Sequence, residues 1–445
     1  MDVVRLFLLW KTLLLTFRHC FTRPGFARFA QWVTGHVLHS HDHTLTQAIL
    51  AIDAPEQWQA LEHFARHGAW NRDAIDEAAA SLLDTDPGLH WFGFRLLAGD
   101  DTKVHRTSKD VWGVCTFHEY SARSPNRATT VRAHNWVATG ALLRRHGAPA
   151  CYAPLALRLY HRATQLPESA GAGSPPVPFR TKPELMVEMT RSWARLSPGE
   201  KHLLAVDGGY ALKSVIVPLV KPPAGTPRVD VVTRLRHDAA LYRLPEPRRE
   251  GQRGRPRKYG TRRSPPGQGG RWPGPWREGE AFVYGRMRKV RYKELVCLWR
   301  ALGSDILVKV VVAEVEGYKE RFTLLTTATE LSGLEVVEVF AARFRQEDGF
   351  RDMKQLMGWE EGRAWTREPI ERTAQVVGLG VTLLRCLERC LGEAGAGGWW
   401  EAPPWYLRKT RPSVGDAQRL LQGHRAEFVR CLSEWLGELE QSGGV

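Results

Sequence analysis

What the sequence withholds narrows it first. No run of roughly eighteen apolar residues occurs, so no membrane-spanning helix is expected. The seven cysteines, at positions 20, 115, 151, 297, 386, 390 and 431, are odd in number and never fall in Cys-x2-Cys spacing. That scatter argues against a disulfide framework or a thiolate zinc site and suits a reducing cytoplasm. The opening segment VVRLFLLWKTLLLTF is hydrophobic, but Lys11 interrupts it and no small-residue cleavage site follows. It reads as an amphipathic helix, and the protein as soluble. Acidic residues are also in deficit: 48 Asp and Glu face 63 Lys and Arg, a net charge of +15 and a pI near 9.7. Such an excess points to a polyanionic partner, most often nucleic acid.

The excess is uneven. Residues 243–293 hold sixteen Lys and Arg against four Glu, a local +12. Within them Arg253, Arg255, Arg257 and Lys258 form an Arg-Gly-Arg-Pro-Arg-Lys arm suited to a narrow minor groove. Trp272 and Trp276 follow in the same stretch. The chain divides by pattern into five parts: a helical unit at 1–88, α/β segments at 89–236, a basic β-rich insertion at 237–330, a further α/β segment at 331–395 and a helical element at 396–445. A histidine cluster at 36, 39, 41 and 43 reads as a polar turn between helices, since no ligand set completes a metal site.

The organising stretch is 332–358. Ser332 and Glu335 form a capping box, no proline intervenes and Gly358 supplies a stop, so one long helix is expected. At about 100° per residue, Phe340, Arg343, Arg351 and Lys354 fall within about 40° of Glu347, with Phe344 and Phe350 flanking and Arg345, Asp348 and Asp352 pointing away. A carboxylate between phenylalanines requires a cation, which turns the reading to phosphate chemistry. Strands are expected at 91–98, 110–117, 130–138, 202–206 and 229–236, with helices at 183–196 and 211–217. Asp100 follows the first strand and Asp207 the fourth. Asp101 beside Asp100, and Asp238 in place of Asp207, are rival acids. Two Asp and one Glu suffice to hold Mg2+, with Mn2+ as the alternative.

The spacing Phe340-x2-Arg343-x3-Glu347-x6-Lys354 resembles the Tyr-x2-Arg-x3-Glu-x6-Lys signature of one branch of the DDE transposases of bacterial insertion sequences. Phe340 stands where the signature has tyrosine. The segments Asp100-Asp101-Thr102 and Val206-Asp207-Gly-Gly-Tyr210 look like the family's two strand-end Asp motifs, so the resemblance spans roughly residues 20 to 385. It implies an RNase H-like core interrupted by a β-rich insertion, with Asp100, Asp207 and Glu347 as catalytic metal ligands, Arg343 and Lys354 on phosphates with Phe340 beside them at the DNA, Trp272 or Trp276 as candidates to stack on a flipped base, and the helical unit at 1–88 on the end DNA. It further implies nicking and strand transfer at transposon ends, by phosphodiester hydrolysis and transesterification, and a homodimer on double-stranded DNA in the bacterial nucleoid. The rivals are an RNase H-like nuclease or resolvase without strand transfer, and a catalytically idle DNA-binding descendant.

Overall fold

The computed structural model describes residues 2–119, 129–145, 147–166, 178–247, 253–267, 272–393, 398–406 and 409–441. Five helices open the chain: α1 (Val3–Leu15), α2 (Arg23–Leu38), α3 (Leu45–Ala51), α4 (Trp58–His67) and α5 (Arg72–Ser81). Thr22, Thr44 and Asn71 begin α2, α3 and α5 by accepting from backbone N–H groups that would otherwise lack partners.

Next come β1 (His90–Trp91), β2 (Phe94–His105), β3 (Cys115–His118), β4 (Thr130–Arg145), β5 (Ala148–Tyr160), α6 (Lys182–Arg195), β6 (His202–Val206), α7 (Lys213–Val220) and β7 (Val229–Arg234). The insertion contributes β8 (Leu241–Tyr242), β9 (Arg277–Val283), β10 (Arg286–Trp299), β11 (Leu307–Val315) and β12 (Phe322–Thr326). The chain closes with α8 (Gly333–Arg343), α9 (Arg345–Gln355), α10 (Arg367–Glu393), α11 (Val414–Gly423) and α12 (Arg425–Gln441).

Among the described residues the strands join one sheet, whose main path runs β3-β4-β2-β6-β7-β12-β11-β10-β8. Strands β5, β4 and β2 are antiparallel neighbours, and β2, β6 and β7 are parallel. With α6 and α7 as the crossovers, this is an RNase H-like arrangement. The insertion extends the same sheet, because β12 pairs antiparallel with β7 and β11 with β12. Alternation along β2 divides the core: Leu97 packs beneath α6 and the N-terminal helices, while Leu96 and Ala98 pack beneath α8.

Several expectations need correction. The first strand runs on to His105, so Asp100 lies inside β2 rather than after it. The segment expected as a strand at 110–117 forms one only from Cys115, and β5, unassigned from the sequence, is a strand of thirteen residues. The organising stretch is two helices that break at Phe344, where Phe344 N donates to Ala341 O and Glu347 N to Phe344 O, three residues back instead of four. Neither proline nor glycine causes the break. A straight helix could not both cover the sheet as α8 does and settle on β5 as α9 does, where the absence of a side chain at Gly349 admits the Tyr152 ring.

The termini share one core. Phe7 packs on Phe428 and Trp435, and Phe26 on Trp435, so the C-terminal helical element is built into the core by its large side chains. The histidine cluster is likewise more than a polar turn. His36 is buried and bonds the Met357 carbonyl, and buried His43 pairs with Glu361.

Candidate active site

The parallel register sets the central geometry. Gly99 pairs with Val206, so the next residues on the two strands, Asp100 and Asp207, stand at one level. Asp100 shares the parity of Leu96 and Ala98, and Asp207 that of Leu203 and Ala205; these four side chains lie in the core under α8. Both carboxylates therefore project toward the α8–α9 face. Asp101 points the other way, holding the Lys182 ammonium at 2.6 Å and accepting from the Tyr210 hydroxyl at 3.0 Å. Just before Asp100, Gly99 lets α6 close onto the sheet, since a Cβ there would lie 2.4 Å from the Met186 sulfur.

Arg343, at the end of α8, reaches down to Asp100 with Nη1 2.8 Å from Oδ2, while its Nη2 lies 3.8 Å from Glu347 Oε1. One guanidinium thus links the strand carboxylate to the helix carboxylate. The helix is locked in place by Gln346, which is buried and donates to the Ala138 carbonyl at 3.2 Å and to the Tyr152 hydroxyl at 3.2 Å. Ala138 is the residue paired with Asp100 across β2 and β4, so Gln346 ties α9 to the acidic level of the sheet. Sequence reasoning missed Gln346, Gly349 and Tyr152. The signal was a polar residue and a glycine three apart, about 100° and 160° round the helix from Glu347.

Burial, and then the negative charge of Asp207, push the Asp100 carboxyl up to about 6, with Arg343 opposing the rise. Asp207 accepts from the Gly209 N–H at 2.8 Å, and its carbonyl accepts from the Thr233 hydroxyl at 2.7 Å. These bonds fix the turn that follows β6.

The remaining candidates fall in different settings. Glu347 is open to solvent, its side chain 51 % exposed, which overturns the expectation of a carboxylate enclosed by phenylalanines. Phe350 is buried, whereas Phe344 is exposed and packs against Tyr284. Asp352, expected to point away, is mostly buried against Arg385 at 3.2 Å, and Asp348 pairs with Arg345 and Arg351. Phe340 belongs to the core under α8. Lys354 donates to the Lys103 carbonyl at 2.6 Å and lies 3.3 Å from Glu360.

Asp238 is exposed and paired with Arg236 beyond the end of β7, away from the Asp100 level. Arg253, Arg255, Arg257 and Lys258 are exposed on a loop whose root is closed by reciprocal backbone bonds between Arg243 and both Gly260 and Thr261. Residues 248–252 and 268–271, also in the basic stretch, lie outside the described residues. Trp272 is 1 % exposed and caged in the core, so it presents no face to a base in this structure. Trp276 is half-buried, with Arg291, Lys293 and Arg321 all within 6 Å of its ring.

Among the described residues no three His, Cys, Asp or Glu side chains converge as a closed metal site. The donor set still fits a hard divalent cation. It is all oxygen, it is under-neutralised by a single arginine, and it contains a carboxyl whose proton affinity is raised first by burial and then by the charge of Asp207, both of which a cation would offset.

Residues 16–295 match the family model described as DDE superfamily endonuclease, a stretch that contains Asp100 and Asp207 and ends before Glu347. Endonucleases of this superfamily generally use divalent metal ions. No curated protein matches the chain. Among solved structures, a cryo-EM structure of the piggyBac transposase synaptic complex with hairpin DNA aligns at a TM-score of 0.42 and 11 % identity, over 94 % of this chain and 76 % of that one.

Proposed function

The chain belongs to the DDE superfamily endonucleases, and from that premise we propose that it is a transposase that nicks DNA at the ends of its own mobile element and transfers the freed 3′-hydroxyl to target DNA. The supporting observation is the register that sets Asp100 and Asp207 side by side beneath Arg343 and Glu347. Asp100, Asp207 and Glu347 would hold Mg2+, with Mn2+ as the alternative. Bound there, the metal would supply an activated oxygen nucleophile and neutralise charge on the phosphorus and the leaving group.

The chain's own groups do the rest. Arg343 favours the ionised form of Asp100 and would turn part of its guanidinium to a phosphate oxygen. Glu347, in the first turn of α9, is free to swing because it is exposed, while Gln346 holds its backbone still. Lys354 would reach a phosphate by leaving the Lys103 carbonyl. The exposed arm Arg253–Lys258 would follow the DNA backbone, Trp276 would offer a ring beside it, and the N-terminal helices would engage the end sequence. Two ends cut in concert call for two protomers related by a two-fold axis.

The test is incubation of the purified protein with a plasmid carrying its element's two ends, with and without Mg2+. Nicks bearing 3′-hydroxyls followed by joined products are expected. Nicking that never proceeds to joining would mean a nuclease or resolvase; binding without metal-dependent nicking would mean an idle descendant.

A further inference from the structure

The strand pairing that aligns the two acids stops just short of them. Gly99 and Val206 are the last partners between β2 and β6, so Asp100 and Asp207 sit where these strands are no longer hydrogen-bonded to each other. β2 runs on, held by β4 as far as His105, whereas the chain after β6 turns away. Pairing therefore sets the level of the two carboxylates, and something else has to hold the gap between them. A small divalent cation accepts only a narrow range of oxygen positions, so that gap matters.

The opposite face of the sheet supplies the link. Gly208–Tyr210 forms a single turn, in which Tyr210 N donates to the Asp207 carbonyl at 3.2 Å and Gly209 N to the Asp207 carboxylate. The buried Tyr210 ring is thus tied to Asp207 through a closed piece of backbone, and its hydroxyl donates across to Asp101 at 3.0 Å. Burial, and then the charge of Asp101, raise its pKa, so the hydroxyl keeps its proton. On β2, the Asp101 N–H donates to the Asp100 carboxylate at 2.8 Å. One chain of contacts runs from Asp207 through its turn, the Tyr210 hydroxyl and Asp101 to Asp100, and it crosses between the strands where their ladder has ended.

Lys182, the first residue of α6, completes the unit. Its ammonium lies 2.6 Å from the second Asp101 oxygen and 5.5 Å from the centre of the Tyr160 ring, while the capping box of Thr181 and Glu184 fixes the start of the helix. Asp101 is neutralised there and faces away from Arg343 and Glu347, so it is not placed to hold a cation itself.

We infer that Asp101, Tyr210 and Lys182 form a positioning unit that sets the separation of the Asp100 and Asp207 carboxylates, and thereby the affinity of the site for its divalent cation. This rests on the metal-binding reading above. None of the three would touch the cation.

Mn2+ binding to the DNA-free protein, followed by electron paramagnetic resonance, is the direct readout. The Mg2+ dependence of nicking is measured beside it, and thermal unfolding in EDTA controls for folding. Tyr210→Phe removes a single hydroxyl. It should weaken Mn2+ binding about tenfold, the scale of losing an outer partner of a metal site, and raise the Mg2+ needed for half-maximal nicking by a similar factor, with the maximal rate within about threefold. Asp101→Ala should do the same, and the double variant should lose no more than Asp101→Ala alone. Asp101→Asn, which still offers Tyr210 and Lys182 a polar partner, should recover most of the loss. Unchanged Mn2+ affinity in Tyr210→Phe, or a loss that only tracks a lowered melting temperature, overturns the inference and leaves the metal reading standing. Loss of Mn2+ in Asp101→Asn as complete as in Asp100→Asn would make Asp101 a ligand and overturn it as well. If the wild-type protein binds no Mn2+, the metal reading fails and this inference with it.

Discussion

The acids and the basic arm are held in opposite ways. Asp100 and Asp207 owe their places to backbone pairing between parallel strands, and Arg343 and Gln346 lock the facing helices onto the same level. Arg253, Arg255, Arg257 and Lys258 sit on an exposed loop whose root is closed by backbone pairing. The contrast suits the roles proposed for each group. The two strand carboxylates would hold their spacing before any cation arrives, with exposed Glu347 closing on it afterwards, whereas phosphate contacts would tolerate many arrangements, because the charge they meet repeats along the duplex.

The sharpest way to break this comparison is at the strands. Asp100→Asn and Asp207→Asn should each slow metal-dependent cleavage by roughly 10³-fold, about 4 kcal/mol of barrier, while changing DNA affinity less than about threefold. Glu347→Gln should do the same. Gel assays of nicking and binding on one preparation would check it, and near-normal nicking by any of the three removes that residue from the site.

The edge of the basic stretch gives the next largest effect. Trp272→Ala should cost about 3 to 5 kcal/mol in denaturant unfolding, because a buried indole leaves a cavity, whereas Trp276→Ala should cost under about 1 kcal/mol. Equal losses would show that the arm does not end between the two.

A pH titration sharpens the acidic side. The Asp100 carboxyl is raised in the folded protein to about 6, so between about pH 4 and 6 the folded state keeps a proton that the unfolded state has lost. Stability of the metal-free protein should therefore fall as pH rises through that window, by at most about 3 kcal/mol at about 1.4 kcal/mol per unit. Asp100→Asn should flatten the fall, and added Mg2+ at pH 8 should offset it in the wild-type protein. A melting curve indifferent to both changes would mean that Asp100 carries no such strain.

The smallest effects belong to the arm. Arg253→Ala, Arg255→Ala and Arg257→Ala should each lower the slope of log affinity against log salt by about one unit and leave thermal unfolding unchanged. A lowered melting temperature would show that the loop is packed rather than free to follow phosphates.

Much of this framework could be read from the residues because it rests on local rules. The capping box of Ser332 and Glu335 begins a helix where its chemistry says it should. Short apolar runs ending in Asp placed acids at the strand level, and the choice of Asp100 over Asp101 toward the helix face reduces to side-chain parity once β2 and β6 are paired. What escaped depends on contacts distant in sequence. The break at Phe344 arises because α8 and α9 answer to different parts of the sheet, and a uniform helical wheel through Glu347 could not register it. Trp272 looked available because its neighbours are Pro, Gly and Arg, yet the core into which it folds lies elsewhere in the chain. Nothing in residues 1–88 announces that Phe7 and Phe26 need Phe428 and Trp435.

The antiparallel seam between β7 and β12 has a further consequence. A module inserted through a flexible linker can be cut out and leave its host intact, but here excision of residues 237–330 would strip β7 of one neighbour and lay bare a row of N–H and C=O groups at the heart of the molecule. The truncated chain would be prone to pair with copies of itself along that open margin. The insertion is thus a structural closure of the catalytic sheet as well as a carrier of positive charge, and the two roles cannot be lost separately by deletion.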